Sequence, residues 1–159
     1  MTSIRFHVNA EKPRAPGVRD RLAAQAERLG LAVLGDGTGE ADAVVVLGGD
    51  GTLLRAVHAY PGVPLLGLNL GGLGYLASVE ERDFAAALEA IAAGRYRISE
   101  RRLLTVDGRF EALNDIVIAR ERGGRSTRLD LEADGKLVTR YMADGLIFLN
   151  YEVRYILDL

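Results

Sequence analysis

The apolar positions set a rhythm along the chain. Ile4 to Val8 read as a strand, and Val18, Leu22, Ala26 and Leu29 then recur at helical spacing along one face. Gly30 stands where glycine ends a helix. Leu31 to Leu34 is a second short strand, and Ala43 to Leu47 is an unbroken apolar run of the kind a parallel sheet buries on both faces. A helix is predicted from near Leu53 to Tyr60, stopped by Pro61, and a further buried strand from Pro64 to Leu68. Phe84, Leu88 and Ile91 mark the stripe of another helix, closed by Gly94. Such alternation of strand and helix builds an open α/β layer structure.

After Gly94 the helical period disappears. Leu103 to Val106 and Ala112 to Ala119 are predicted strands. Leu129, Leu131 and Ala133 alternate with polar residues, Asp134-Gly135 makes a turn, and Leu137 to Tyr141 returns, which is a hairpin signature. Gly123-Gly124-Arg125-Ser126 reads as a polar hairpin loop. The expected division is an α/β domain over residues 1–97 and a β-rich domain over residues 98–159.

Composition narrows the classes. Hydrophobic residues make up 48% and charged residues 26%, an ordinary globular balance. The formal net charge is −2 and there is no long basic run, so the electrostatic footprint of a nucleic-acid binder is missing. The absence of Cys excludes a disulfide framework and Cys zinc sites. His7 and His58 lie far apart without a ligand pattern, and no metal-binding residue is predicted. Arg5 and His7 interrupt the early apolar run, unlike a signal peptide, and no stretch approaches the ~20 apolar residues of a membrane helix. A cytoplasmic protein without nucleic-acid or membrane partners is expected.

Four motifs carry candidate chemistry. Gly48-Gly49-Asp50-Gly51-Thr52 follows a buried strand and opens a helix. Glycines let the backbone approach an anion closely, free N–H groups at a helix N-terminus attract negative charge, and Thr52 adds a hydroxyl. A carboxylate there makes sense if it takes a proton from an attacking hydroxyl or meets a magnesium ion. A plain strand-to-helix turn is the alternative, and Asp-Gly by itself says little because it occurs five times in the chain. Gly67 to Leu76 is a glycine-rich stretch at the C-terminal end of a second parallel-type strand, the edge at which open α/β sheets bind ligands. Asn114-Asp115 leads directly into an apolar strand, where an amide and a carboxylate suit either a turn or the hydroxyls of a sugar. Asp144-Gly145-Leu146-Ile147 carries the same two alternatives, a hairpin turn or a ligand contact. No Walker A pattern is present, so any triphosphate is held without a P-loop lysine.

In this order and spacing the four motifs resemble those of the NAD kinase family. Gly48 to Thr52 matches its GGDGT motif, Pro64 to Leu76 its glycine-rich segment with Tyr75 where a Phe is common, and Asn114-Asp115 its Asn-Glu/Asp motif. Ser99 to Leu104 is similar to the stretch opening its β-rich domain, and Asp144 to Ile147 to the start of its last block. The resemblance implies an α/β N-terminal domain followed by a β-sandwich domain, incomplete here, with the active site between them. It implies phosphorylation of the 2′-hydroxyl of the adenosine ribose of NAD, with ATP or polyphosphate as donor and Mg2+ accompanying ATP. Asp50 would be the general base, Gly48, Gly49, Gly51 and Thr52 would cradle the donor phosphates, and Tyr75 would lie near the adenine of NAD. Asn114 and Asp115 would bind NAD largely through ribose hydroxyls, and Asp144 would help hold the dinucleotide.

Two departures alter these expectations. Met142 stands where many members have a basic residue, and after Ile147 the family's Thr-Pro and Gly-Ser-Thr-Ala-Tyr-type loop is replaced by residues 148–159. The end of the chain is thus expected to be cut short or altered, by frameshift, truncation or natural variation, and turnover to be low. Tyr151, Val153, Tyr155, Leu157 and Leu159 alternate with polar residues, a strand that patches a sheet edge or pairs with its copy, and a homo-oligomer is expected. The alternatives are a nucleotide-binding remnant of the family that does not turn over, and a diacylglycerol-kinase-like lipid kinase, which shares the GGDGT turn.

Overall fold

The computed structural model describes residues 2–35, 40–72, 74–121 and 126–150, and the backbone of 157–158. The loop expected at Gly123-Gly124-Arg125, most of the expected tail strand, and Leu73 of the glycine-rich stretch lie outside the described residues. Contacts within the chain divide it into two compact units, residues 1–101 with 154–159, and residues 102–153.

The first unit runs β1 (Ser3–Val8), α1 (Ala15–Arg28), β2 (Ala32–Leu34), β3 (Ala43–Gly48), α2 (Asp50–Ala59), β4 (Leu65–Asn69), β5 (Val79–Glu80), a 3-10 turn (Glu81–Asp83) and α3 (Phe84–Ala92). The strands form one parallel sheet in the order β2-β1-β3-β4-β5. Alternation along each strand sends one set of side chains to each face. Ile4, Phe6, Val45, Leu47, Leu66 and Leu68 meet Val18, Leu22 and Ala26 of α1 and Phe84, Leu88 and Ile91 of α3 in a continuous core. On the other face α2 packs against β3 and β4 and buries Leu53 and Ala56, while Val44, Val46 and Leu65 are buried too. That explains the unbroken apolar runs, since β3 and β4 are covered on both sides. Each fully buried Leu, Ile, Val or Phe contributes about 1.5–3 kcal/mol.

Two boundaries differ from the sequence expectation. Helix α2 opens at Asp50 rather than near Leu53, because the N–H groups of Thr52 and Leu53 donate to the Gly49 carbonyl at 2.9 and 3.1 Å and close the first turn. Leu29, placed on the buried face of α1, caps the helix and is 36% exposed, and Leu31 beyond Gly30 fills the core position instead at 3%. Gly30 adopts φ +81°, the left-handed geometry that ends a helix.

After β6 (Arg97–Ile98) come β7 (Leu104–Val106), β8 (Phe110–Ala112), β9 (Asp115–Ala119), β10 (Thr127–Ala133), β11 (Lys136–Ala143) and β12 (Gly145–Leu149). β7 pairs with β8, β10 with β11 and β9 with β12, all antiparallel. The expected hairpin turn at Asp134-Gly135 is present, with φ +50° and +72°, as a two-residue turn between twisted strands requires. The run expected as one strand from Ala112 to Ala119 is two, broken at Leu113-Asn114, where Leu113 turns inward and is 6% exposed. β13 (Leu157–Asp158) pairs antiparallel with β6 in the same chain.

Candidate functional site

The sheet order places a switch point between β1 and β3, since the chain leaves β1 toward β2 and leaves β3 toward β4. Ligands of open α/β sheets bind outside the carboxyl ends of strands at such a point. The turn at Gly48 to Thr52 lies there, and the glycine-rich loop after β4 lies beside it, Leu70 N–H donating to the Gly48 carbonyl at 3.2 Å.

Within the turn the glycines divide into two kinds. A Cβ on Gly48 would collide with Thr52, so this glycine is required by packing. At Gly49 and Gly51 a Cβ would meet nothing within 4 Å, and neither has a positive φ. Neither packing nor backbone conformation asks for glycine at these two positions, whose backbone is open to close approach. They lie at the N-terminus of α2, where unpaired N–H groups and the helix dipole favour an anion. Thr52 is 3% exposed, tucked under Gly48, with Arg55 Nη2 donating to its hydroxyl at 3.5 Å.

Asp50 turns toward the neighbouring loop. Its Oδ2 accepts the N–H of Tyr75 at 2.9 Å, and its Oδ1 accepts those of Leu76 at 3.0 Å and Ala77 at 2.9 Å. Partial burial pushes the carboxyl up, but the N–H groups of Ala77, Tyr75 and Leu76 together pull it further down, below the usual carboxylate value. Asp50 is therefore ionised at neutral pH. Tyr75 is 89% exposed although its backbone is fixed.

The sequence reading passed over Asn69, which is 5% exposed and shapes the same loop. Its Oδ1 accepts Gly71 N–H at 2.9 Å and its Nδ2 donates to the Gly72 carbonyl at 2.7 Å. An Asn at the end of a strand, just before glycines, is the signal that would have found it. Arg14, Asn69, Leu70, Gly71, Glu80, Glu81 and Arg82 line a crevice of about 490 Å³. Lys12 reaches its edge, its Nζ 3.5 Å from where a Cβ of Gly71 would stand.

The remaining candidates lie in the second unit. Asn114 is half-buried, with an Oδ1 that is shielded and has no hydrogen-bond partner, and its carbonyl accepts the Asn150 N–H at 2.6 Å. Asp115 is the exposed first residue of β9. Asp144-Gly145 joins β11 to β12, which pairs with β9 and not with β11, so this Asp-Gly is not a hairpin turn. The Arg120 guanidinium at 2.9 Å and the Ser126 hydroxyl at 3.1 Å hold the Asp144 carboxyl below its usual value.

Comparison with known proteins agrees with this geometry. The family model described as ATP-NAD kinase N-terminal domain matches residues 8–96. An NAD kinase of Symbiobacterium thermophilum is 37% identical over 88% of this chain and 59% of its own length. An NAD kinase of Heliobacterium modesticaldum is 45% identical over 67% of this chain and 41% of its own. The chain thus spans 59% and 41% of the length of these two relatives. Among solved structures, an NAD kinase from Archaeoglobus fulgidus in complex with ATP superposes with a TM-score of 0.71 at 25% identity, over 92% of this chain and 59% of that one. Yeast NADH kinase complexed with NADH shares the fold, with a TM-score of 0.67 at 21% identity over 92% of this chain and 57% of that one.

Proposed function

This chain belongs to the NAD kinase family, and we propose that it carries the family's phosphoryl-transfer site, which passes a phosphoryl group from ATP or polyphosphate to the 2′-hydroxyl of the adenosine ribose of NAD. The observation that carries the reading is the pair Gly49 and Gly51, open toward solvent at the N-terminus of α2 with no structural need for glycine. Phosphoryl transfer depends chiefly on positioning and on groups that neutralise phosphate charge. The backbone of Gly48, Gly49 and Gly51 would supply the cradle, with Thr52 supporting it from beneath. Asp50, ionised at neutral pH, would accept the proton of the attacking hydroxyl while the donor's terminal P–O bond breaks. Tyr75 would offer its exposed ring to the adenine, and Asn114, Asp115 and Asp144 would hold the dinucleotide.

Among the described residues no group of three or more His, Asp or Glu side chains stands ready to hold a metal. The magnesium proposed here enters on the phosphates of ATP, and no protein carboxylate set is assigned to it. Among the same residues no helix is long and apolar enough to cross a membrane. A cytoplasmic location and a homo-oligomeric assembly remain part of the proposal.

A second reading is a nucleotide-binding member of the family that does not turn over. The lipid-kinase alternative has no counterpart among the relatives described above. The test is to express residues 1–159, measure ATP and NAD binding by calorimetry, and follow NADP formation with Mg-ATP and with polyphosphate. NADP formation with either donor supports the kinase, ATP binding without turnover supports the second reading, and failure both to bind ATP and to form NADP from polyphosphate removes both.

A further inference from the structure

The two loops at the switch point are joined by one side chain. Asp50 is fixed at the first turn of α2, and its carboxylate accepts three consecutive backbone N–H groups, those of Tyr75, Leu76 and Ala77. Gly74 allows this approach, because a Cβ there would overlap Oδ1 and stand 3.0 Å from Cγ of Asp50. The far end of the loop rests on the sheet: a Cβ on Gly67 of β4 would lie 2.7 Å from Cα of Ala77. Leu76 and Ala77 are buried, at 6% and 1% exposure, whereas Tyr75 is 89% exposed.

We propose that Asp50, beside the proton-accepting role proposed for it above, also positions the neighbouring loop: its carboxylate sets the backbone conformation of Tyr75 to Ala77, so that the turn after β3 and the loop after β4 are held as one unit. Its two oxygens divide the task. Oδ1 anchors the buried Leu76 and Ala77, and Oδ2 orients Tyr75. Hydrogen bonds to an ionised acceptor are stronger than neutral ones, and removing the acceptor leaves buried donors unpaired. This goes beyond the proposed kinase activity and does not rest on it, since the loop is held in the same way whatever binds beside it.

Amide hydrogen exchange resolved by NMR, on the full chain without ligand, tests the assignment. In Asp50→Ala all three amides are expected to exchange about tenfold faster or more, with the amides of α2 and β4 unchanged. In Asp50→Asn one acceptor oxygen remains, so Leu76 and Ala77 should stay protected while Tyr75, facing an NH2 donor, is released. That selectivity is not expected of a general loss of stability. Gly74→Ala keeps the carboxylate but displaces Oδ1, so Leu76 and Ala77 should be released even if the Asp50 variants fold poorly. Unchanged exchange at residues 75–77 in Asp50→Ala and Gly74→Ala overturns the proposal. So does acceleration spread evenly over α2, β4 and the loop in every variant. Because exchange is read without turnover, a failed kinase assay does not affect this result.

Discussion

A Cβ on Gly48 would stand 2.5 Å from Cβ and 2.8 Å from Cγ2 of Thr52, and closer still to its hydroxyl, so the last residue of β3 and the third residue of α2 share one space. Gly48→Ala is therefore expected to shift the turn and destabilise the first unit by about 1–3 kcal/mol, as overpacking does. Gly49→Ala, with open space around it and φ −115°, is expected to be nearly neutral for stability. Urea unfolding followed by circular dichroism checks the contrast; equal midpoints for the two variants would show that the Gly48–Thr52 contact does not constrain the turn.

The same pair marks what the sequence could and could not reveal. The alternation of β1, α1, β3, α2, β4 and α3 is written in apolar periodicity, because both faces of the central strands are covered. β5 was not legible: it contributes two residues, Val79 and Glu80, and its pairing depends on β4. Of the β7–β8 hairpin the first strand was legible as Leu103 to Val106, but β8 and the turn at Asp107-Gly108, with φ +52° and +64°, were not, since Phe110 to Ala112 carries too little alternation. At the site the glycine turn was legible as a motif. The direction of the Asp50 side chain was not, because it depends on N–H groups 25–27 residues further along the chain.

Asn114 offers a shielded Oδ1 with no partner, a donor-seeking atom that suits a ligand hydroxyl. If Asn114 and Asp115 hold the ribose, Asn114→Ala and Asp115→Ala should each weaken NAD binding by about 1–3 kcal/mol while leaving ATP binding unchanged. Calorimetry with each nucleotide separately measures this. Unaltered NAD affinity in both variants would remove these residues from the proposed site.

His7 meets the Tyr60 ring edge to face, with centroids 5.6 Å apart. Burial and then the positive charge of Arg55 lower its pKa from the usual 6.5. The unfolded chain therefore takes up a proton near pH 6.5 while the folded chain does not until lower pH. Stability should fall as pH drops below about 6.5 and level off once the folded imidazole is also protonated. Asp50 acts in a separate window. Its depressed carboxyl stabilises the fold above the unfolded value near 3.8 and loses that contribution as pH falls through the lower folded value. His7→Gln should flatten the stability profile between about pH 7 and 5 and leave the more acid limb in place. A profile that keeps its slope in this range after the substitution would assign the effect to another group.

The β9–β12 ribbon has apolar residues on both faces and, among the described residues, little to cover them. Val117 pairs with Ile147 and Asp115 with Leu149 on one face, where Val117, Ile147 and Leu149 are 57%, 64% and 72% exposed. Ile118 and Phe148, on the other face, are 50% and 40% exposed. Leu113 is the only buried hydrophobic among the described residues of this unit, and a two-stranded ribbon is normally secured by a packed apolar layer. An apolar surface of this kind with open strand edges favours association. The chain in isolation is expected to bind a hydrophobic dye and to self-associate as its concentration rises. Val117→Lys together with Ile147→Lys should suppress both, because two charges then oppose each other across the pair and neither is drawn from the core of the first unit. Light scattering over a concentration series, with the amides of β3 and β4 as a check that the first unit stays folded, makes the comparison. Self-association that persists undiminished in the double variant would show that this ribbon is not the surface responsible.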